Sequence, residues 1–118
     1  LHGPYGEDGT VQGFFDLMNL AYVGPDVTGS AVGMDKILSK RLVQGLGIAV
    51  SPWVDTDREC FAQNPQDFIK LCLEKLTFPM FVKPNRQGSS VGVTCVENLE
   101  DLNAACLEAF NYDERILV

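Results

Sequence analysis

Apolar side chains recur with a helical period directly after Gly9, where the residues at i, i+3, i+4 and i+7 of a short stretch are all hydrophobic. These residues are Val11, Phe14, Phe15 and Met18. Their spacing predicts an amphipathic first helix with a single apolar face. The Tyr22-Val23-Gly24 segment that follows predicts a short strand or turn.

A second helix is predicted from Ser30, which is a favourable N-cap residue. Gly45 and Gly47 are typical stop signals and predict where this helix ends. One face of the helix carries Met34, Leu38 and Leu42. The Gly, Pro, Asp, Thr and Ser residues crowded at positions 24–30 predict a seam between two domains.

The third and fourth helices are each predicted to begin at an asparagine. Asn64 stands before Pro65, a residue that is common at the first helical position. The buried stripe of this third helix is predicted to consist of Phe68, Leu71, Cys72 and Leu76. Asn98 predicts the N-cap of a fourth helix that continues to Phe110, with an apolar stripe of Leu99, Leu102, Cys106 and Ala109.

Extended segments are predicted between and after these helices. Residues 48–54 form one that is broken at Pro52, and residues 81–83 and 91–96 flank a glycine-rich turn. The apolar run at residues 115–118 predicts a strand that needs neighbours. The alternation predicts the α/β class in its α+β form, without an internal repeat.

Composition and charge exclude several classes of protein. The chain has 118 residues, of which 46% are hydrophobic, so it can bury the core of about one domain. Its 16 acidic and 9 basic side chains give a net charge of -7, which repels polyanions and predicts no nucleic-acid partner. No apolar run approaches the roughly 20 residues of a membrane span, which predicts no membrane partner.

The cysteines occur at positions 60, 72, 95 and 106 without a CxxC pair, and the single histidine is far from them in sequence. This spacing is poor for a structural zinc site. It is typical of reduced, partly buried thiols in a cytoplasmic protein.

A lysine on a predicted strand stands beside a turn rich in glycine and serine. Gly88 and Gly92 allow backbone N–H groups to approach an anion closely, and Ser89 and Ser90 add hydroxyl donors. Lys83 supplies a compact positive charge. The pattern is typical of a phosphate clamp, and for this segment alone an ordinary β-hairpin with a Gly/Ser tip is an equally open alternative.

The loop from His2 to Gly9 contains one imidazole, two carboxylates and three glycines, and it leads into the first helix. Helix N-termini readily hold anions and substrate groups. The alternative is that Asp8 caps the helix and His2 is an ordinary loop residue. Lys36 is either a ligand contact or, as is common for helix lysines, a solvated side chain.

Several separated motifs agree with a single family in their order and spacing. They are HGxxGEDGTxQG at residues 2–13, YVG at 22–24, MDK at 34–36 with Lys40, VKP at 82–84 and GSSVGV at 88–93. Together they resemble the D-alanine–D-alanine ligases, which are ATP-grasp enzymes. The resemblance runs from Leu1 to Val118, and no Walker A or Rossmann glycine fingerprint competes with it.

The resemblance implies ATP-dependent ligation of two D-alanines through an acyl phosphate, for peptidoglycan precursor synthesis. It implies that residues 1–30 end a Rossmann-like N-terminal substrate-binding domain and that residues 31–118 belong to the central ATP-grasp subdomain. One alternative is another ATP-grasp carboxylate–amine ligase, such as a D-alanine–D-lactate or D-serine ligase. The other is a non-catalytic nucleotide-binding module of the same fold.

The resemblance also implies roles for individual residues. Ser89 matches a catalytic serine that joins a hydrogen-bonded set at the substrate amine. His2 and Glu7 match substrate-binding positions beside the D-alanine site. ATP would be bound by Lys36, Lys83, Gly88, Ser89, Ser90 and Val91.

We expect the chain to be an internal piece of a longer protein, because it starts at Leu1 without methionine and ends on an apolar strand. The Mg²⁺ ligands are expected beyond Val118, so we expect no metal ligand within the chain and no catalysis by this piece alone. The resemblance further implies small-molecule substrates, a homodimer and a cytoplasmic location.

Overall fold

The computed structural model describes all residues from Leu1 to Val118. The helices are α1 (Thr10–Leu17), α2 (Val27–Met34), α3 (Lys36–Gly45), α4 (Arg58–Gln63), α5 (Pro65–Lys75) and α6 (Leu99–Ala109). The strands are β1 (Asp55–Asp57), β2 (Met80–Pro84), β3 (Thr94–Val96) and β4 (Arg115–Leu117). Contacts divide the chain into a first unit, Leu1–Ala49 with Arg86–Ser89, and a second unit, Val50–Asn85 with Ser90–Val118.

The second unit contains an antiparallel sheet with the strand order β1-β4-β2-β3. Leu117 of β4 lies opposite Asp55 of β1 on one side and Lys83 of β2 on the other. Val54 and Val118 extend this ladder with two backbone hydrogen bonds of 3.1 and 2.9 Å. The predicted C-terminal strand is therefore confirmed, and it is paired on both sides.

The hydrophobic core of the second unit is formed by side chains from the sheet and from helices α4 to α6. Val82 and Ile116 from the strands are fully buried, as are Leu102 and Cys106 from α6. The side chains of β2 alternate, so that Phe81 is 48% exposed beside the buried Val82. The predicted stripe of α6 is confirmed except at Leu99, which is exposed because it occupies the first helical position.

The first unit is helical, and its second predicted helix is in fact two helices. Asp26 caps α2 and Asp35 caps α3, each by accepting a backbone N–H three residues ahead, at 2.7 and 2.8 Å. The prediction that Ser30 is the N-cap is wrong. Its side chain is buried inside α2 and donates to the Pro25 carbonyl at 3.4 Å, because a charged carboxylate already caps this helix.

The remaining element predictions are confirmed in part. Helices α1, α5 and α6 and strand β2 lie where the sequence predicts them. The segment predicted to be extended at residues 48–54 contains no helix and leads into β1, which begins at Asp55. The strand predicted at 91–96 is limited to Thr94–Val96, because the turn continues through Gly92. Helix α4 was not predicted, since its six residues are too few to show a helical period.

The four cysteines are free thiols. Cys60 and Cys95 are exposed, whereas Cys72 and Cys106 are buried in the core of the second unit. Burial raises the pKa of Cys72 to about 11 and that of Cys106 to about 12. None of the helices combines the length and the apolar character that crossing a membrane requires.

Candidate functional site

The N-terminal loop is folded by hydrogen bonds to its own carboxylates. Glu7 Oε2 accepts from the Gly3 N–H at 2.5 Å. Asp8 accepts from the backbone N–H groups of Thr10 at 3.0 Å and Tyr5 at 2.9 Å. Hydrogen bonds from Thr10 are the main cause of a lowered pKa for Asp8. Asp8 therefore closes the loop onto the first turn of α1, but it is not the helix cap of the alternative prediction, because Gly9 occupies the N-cap position and α1 has no side-chain cap.

Gln12 is a site residue to which the sequence assigned no role. Its Nε2 donates to the Gly6 carbonyl at 3.0 Å, and its Oε1 is buried without a hydrogen-bond partner. Gln12 and Glu7 line a cavity of about 380 Å³ within the first unit. Apolar side chains, including Phe15 and Met34, complete the lining. The signal for Gln12 was its place in the first motif, next to the loop glycines.

The first half of the glycine turn, Arg86–Ser89, contacts the start of α3. Arg86 Nε donates to Asp35 Oδ2 at 3.0 Å, and Lys36 Nζ donates to the Gln87 carbonyl at 2.5 Å. Lys36 is thus a partner of the glycine turn rather than a solvated helix lysine. The sequence did not predict the contact between Asp35 and Arg86, because residues 51 positions apart show no local pattern.

The glycine turn also reaches the N-terminal loop within the first unit. Ser89 Oγ lies 3.3 Å from His2 Nε2, although the two residues are 87 positions apart. A Cβ atom placed on Gly88 would lie 3.9 Å from Glu7 Oε2. The structure therefore brings together a group of predicted site residues from two distant motifs: His2, Glu7, Gly88 and Ser89.

The other predicted nucleotide contacts belong to the second unit. Lys83 lies on β2, with its Nζ 5.7 Å from the centroid of the Phe81 ring. The Ser90 carbonyl accepts from the Val93 N–H at 3.2 Å, and Val91 is 43% exposed. The predicted ATP-binding residues are therefore divided, with Lys36, Gly88 and Ser89 in the first unit and Lys83, Ser90 and Val91 in the second.

The backbone of the glycine turn is unusual for a simple hairpin. Ser89 and Ser90 have φ angles of 49° and 60°, a left-handed conformation that non-glycine residues rarely adopt and that clusters at ligand sites. The N–H groups of residues 88–91 donate no hydrogen bond to a backbone carbonyl. Strands β2 and β3 pair with each other, but residues 85–93 connect them, whereas common hairpin loops have about two to five residues.

Comparison with known proteins agrees with the motifs. The family model for the D-ala D-ala ligase C-terminus matches residues 42–118. A curated D-alanine–D-alanine ligase from Enterococcus faecalis is 49% identical over 118 residues, which are 100% of this chain and 34% of that protein. One from Enterococcus gallinarum is 47% identical, again over 100% of this chain, and 37% of its own length is covered.

A solved structure with a high similarity is the VanG D-Ala:D-Ser ligase from Enterococcus faecalis. Its TM-score is 0.88 and its sequence identity is 41%, over 99% of this chain and 33% of that one. The predicted mixed α/β class is confirmed, and the structural neighbours are D-Ala ligases of the ATP-grasp fold. The chain spans about a third of the length of the curated relatives it matches. Since the family model covers more than half of the chain and the relatives align along all of it, this chain belongs to the D-alanine–D-alanine ligase family.

Proposed function

We propose that the full-length protein joins two D-alanines into D-alanyl-D-alanine and converts ATP to ADP and phosphate, for peptidoglycan precursor synthesis. Family membership supports this proposal, and one observation carries it. Ser89 of the glycine turn lies 3.3 Å from His2 of the N-terminal loop. The motif that the family associates with ATP phosphates therefore meets the motif that it associates with D-alanine.

The residues of the chain suit the charges of this reaction. ATP phosphorylates the carboxylate of the first D-alanine, and the amine of the second then displaces phosphate from the acyl phosphate. Negative charge develops on phosphoryl oxygens and afterwards on the tetrahedral intermediate, where positioned cations and N–H donors are effective. In our proposal Lys36 and Lys83 supply the positive charge. The N–H groups of residues 88–91, together with the Ser90 hydroxyl, supply the donors.

The N-terminal loop is proposed to serve the amino-acid substrates. Ser89 would join the hydrogen-bonded set at the substrate amine, and its contact with His2 would orient the Ser89 hydroxyl. Glu7 would orient D-alanine. Its position on the wall of a cavity of about 380 Å³ supports a role in binding a small molecule.

The finer family assignments are part of the same proposal. Residues 1–30 would end the substrate-binding domain and residues 31–118 would belong to the ATP-grasp subdomain of a cytoplasmic homodimer. Within Leu1–Val118, no group of three or more His, Cys, Asp or Glu side chains is arranged to hold a metal ion. From the resemblance to the family, we propose that the Mg²⁺ ligands lie beyond Val118. The chain alone would then be inactive.

Phosphate release by the full-length protein tests the proposal. We expect ADP, phosphate and a dipeptide to appear with ATP and D-alanine, and no dipeptide to appear with L-alanine as the matched control. Equal phosphate release with the two enantiomers would contradict the proposal. No release with D-alanine would favour the non-catalytic module.

A second candidate function is ligation of D-alanine to D-serine. The similarity to a solved D-Ala:D-Ser ligase, with a TM-score of 0.88, favours it over D-lactate as the acceptor. The same assay distinguishes the candidates when D-serine or D-lactate is added beside D-alanine and the products are separated by mass. A mixed product in excess over D-alanyl-D-alanine would establish the alternative acceptor.

A further inference from the structure

Asp35 carries a nearly buried carboxylate that accepts hydrogen bonds from two different segments of the chain. Its residue exposure is 6%. Oδ1 accepts from the Leu38 N–H at 2.8 Å and caps α3, while Oδ2 accepts from Arg86 Nε at 3.0 Å. Burying a carboxylate is costly unless it is paired and hydrogen-bonded. The charge of Asp35 therefore favours keeping the Arg86 guanidinium beside the start of α3.

Arg86 begins the half of the glycine turn that lies in the first unit. The next residue, Gln87, is held by Lys36 through its carbonyl at 2.5 Å. Consecutive residues at the start of α3 thus hold consecutive residues of the turn. Gly88 and Ser89 follow directly, so these two contacts determine where the turn starts relative to α3.

The two contacts differ in what nucleotide binding would do to them. Phosphate oxygens are charged and form stronger hydrogen bonds with an ammonium group than a neutral carbonyl does. A phosphate would therefore compete with the Gln87 carbonyl for Lys36. The contact between Asp35 and Arg86 involves neither the Lys36 ammonium nor the N–H groups of residues 88–91, so it can persist.

We infer that Asp35 and Arg86 are a positioning pair, which keeps Arg86–Ser89 on α3 while Lys36 moves from the Gln87 carbonyl to the nucleotide. This inference rests on the proposed role of the turn as a phosphate clamp. The two side chains act through the turn and do not touch the substrate. They give the clamp a fixed base that does not depend on Lys36.

A double-mutant cycle in the full-length protein tests the pair. D35N keeps an oxygen that can cap α3 but removes the charge facing Arg86, and R86Q removes the opposite charge. Each variant is expected to raise the KM for ATP about tenfold with a small change in kcat, because one charge-assisted hydrogen bond is lost. The double variant should resemble each single variant, since all three lack the same contact. R86K should recover part of the affinity.

A matched control is available in the second unit. Arg115 Nη2 lies 2.7 Å from Asp55 Oδ2, and the Asp55 side chain is 16% exposed, so R115Q also removes an ion pair with a partly buried aspartate. We expect R115Q to leave the KM for ATP unchanged. Without nucleotide, hydrogen exchange at residues 86–89 should become faster in D35N and R86Q but not in R115Q.

Several results would overturn the inference. They are additive effects in the double variant, a lowered melting temperature with an unchanged KM for ATP, and wild-type exchange at residues 86–89 in both single variants. If D35N does not fold, R86Q alone tests the inference, because the Arg86 side chain is 66% exposed and its loss leaves the cap of α3 intact. Absence of D-alanine-dependent ATP consumption in the wild type would contradict the proposed function instead, since the exchange comparison uses no nucleotide.

Discussion

Lys36 and Lys83 are the two cations proposed to face the phosphates, and they have different contacts in the chain. K36A and K83A should each weaken ATP binding by roughly 1.5 to 3 kcal/mol, because each removes a charge-assisted contact. K36A should also speed hydrogen exchange at residues 86–89, since it gives up the Gln87 carbonyl. K83A should not. Titration with ATP, melting curves and exchange measure these effects.

Lys70 provides the control for the two lysine variants. It lies on α5 with its side chain 76% exposed, and its nearest partner is Glu74 at 3.9 Å. K70A should change neither ATP affinity nor the melting temperature, because exposed ion pairs contribute little. Unchanged ATP affinity together with a lowered melting temperature in K36A or K83A would show that the lysine is structural.

The cysteines should differ sharply in reactivity, because the thiolate is the reactive form. With an alkylating reagent at about pH 8, we expect the folded chain to be labelled at Cys60 and Cys95. Cys72 and Cys106 should be protected, since burial excludes the reagent and raises their pKa values to about 11 and about 12. Mass spectrometry of the peptides measures this, and rapid labelling at all four positions would disprove it.

Asp57 allows a finer test of the same chemistry. Its hydrogen bond and its negative charge raise the pKa of Cys60. The Cys60 N–H donates to Asp57 Oδ1 at 2.8 Å. D57N removes the charge but keeps a side-chain oxygen that can accept from this N–H. Labelling of Cys60 should therefore accelerate in D57N, with Cys95 as the internal control.

At the scale of elements, the two glycines of the turn should respond differently to substitution. Gly92 has a φ angle of 70°, and a Cβ atom there would lie 2.6 Å from Tyr112 Cδ2 and 2.7 Å from Pro84 Cγ. G92A should therefore lower the free energy of unfolding by about 1 to 3 kcal/mol through overpacking. A Cβ atom placed on Gly88 would lie no nearer than 3.9 Å to its neighbours, so G88A should fold normally. It should instead slow turnover, because a methyl group crowds the approach of the phosphates.

Melting temperature and kcat, measured on both glycine variants of the full-length protein, separate these effects. Each variant is the control for the other, since both lie in one turn. A stable, inactive G92A together with an unstable, active G88A would reverse our assignment of the two positions.

Two helix starts show how much of the structure a local sequence pattern can predict. Asn64 and Asn98 predict two equivalent helix starts, and α5 and α6 do begin there. Only Asn98 makes the side-chain cap, by accepting from the Asp101 N–H at 3.2 Å. Pro65 stabilises the start of α5 without such a bond, because its fixed φ angle already suits a helix. Residue type predicted the positions, whereas the local backbone selected the contacts.

At the scale of the whole molecule, nucleotide binding should change exchange in one stretch above all. The N–H groups of residues 88–91 have no backbone carbonyl partner, so without ATP they should exchange faster than the hydrogen-bonded N–H groups of the core. If they clamp phosphates, a non-hydrolysable ATP analogue should slow their exchange in the full-length protein, while the core helix α6 serves as the unchanged reference. Equal exchange with and without the analogue would favour the hairpin tip over the clamp.

The sequence by itself determined the family and much of the local structure of this chain. Helical periods located α1, α5 and α6, the glycine-rich turn indicated the strand β2 before it, and the order and spacing of the motifs indicated the family that the comparisons confirm. These properties can be predicted because each depends on residues close together in the chain. The sequence did not predict the short helix α4, because its local signal is weak. It also did not predict that the second helix is divided at Asp35, where this residue caps α3.

Only the tertiary structure decided which distant residues meet. The contacts of His2 with Ser89, of Asp35 with Arg86 and of Lys36 with Gln87 join positions 87, 51 and 51 residues apart. No periodicity or spacing specifies such pairs, because they depend on the path of the backbone between them. The sequence therefore named the groups that could serve ATP and D-alanine. The fold brought a buried carboxylate to the base of the turn, and that contact underlies the positioning role we infer.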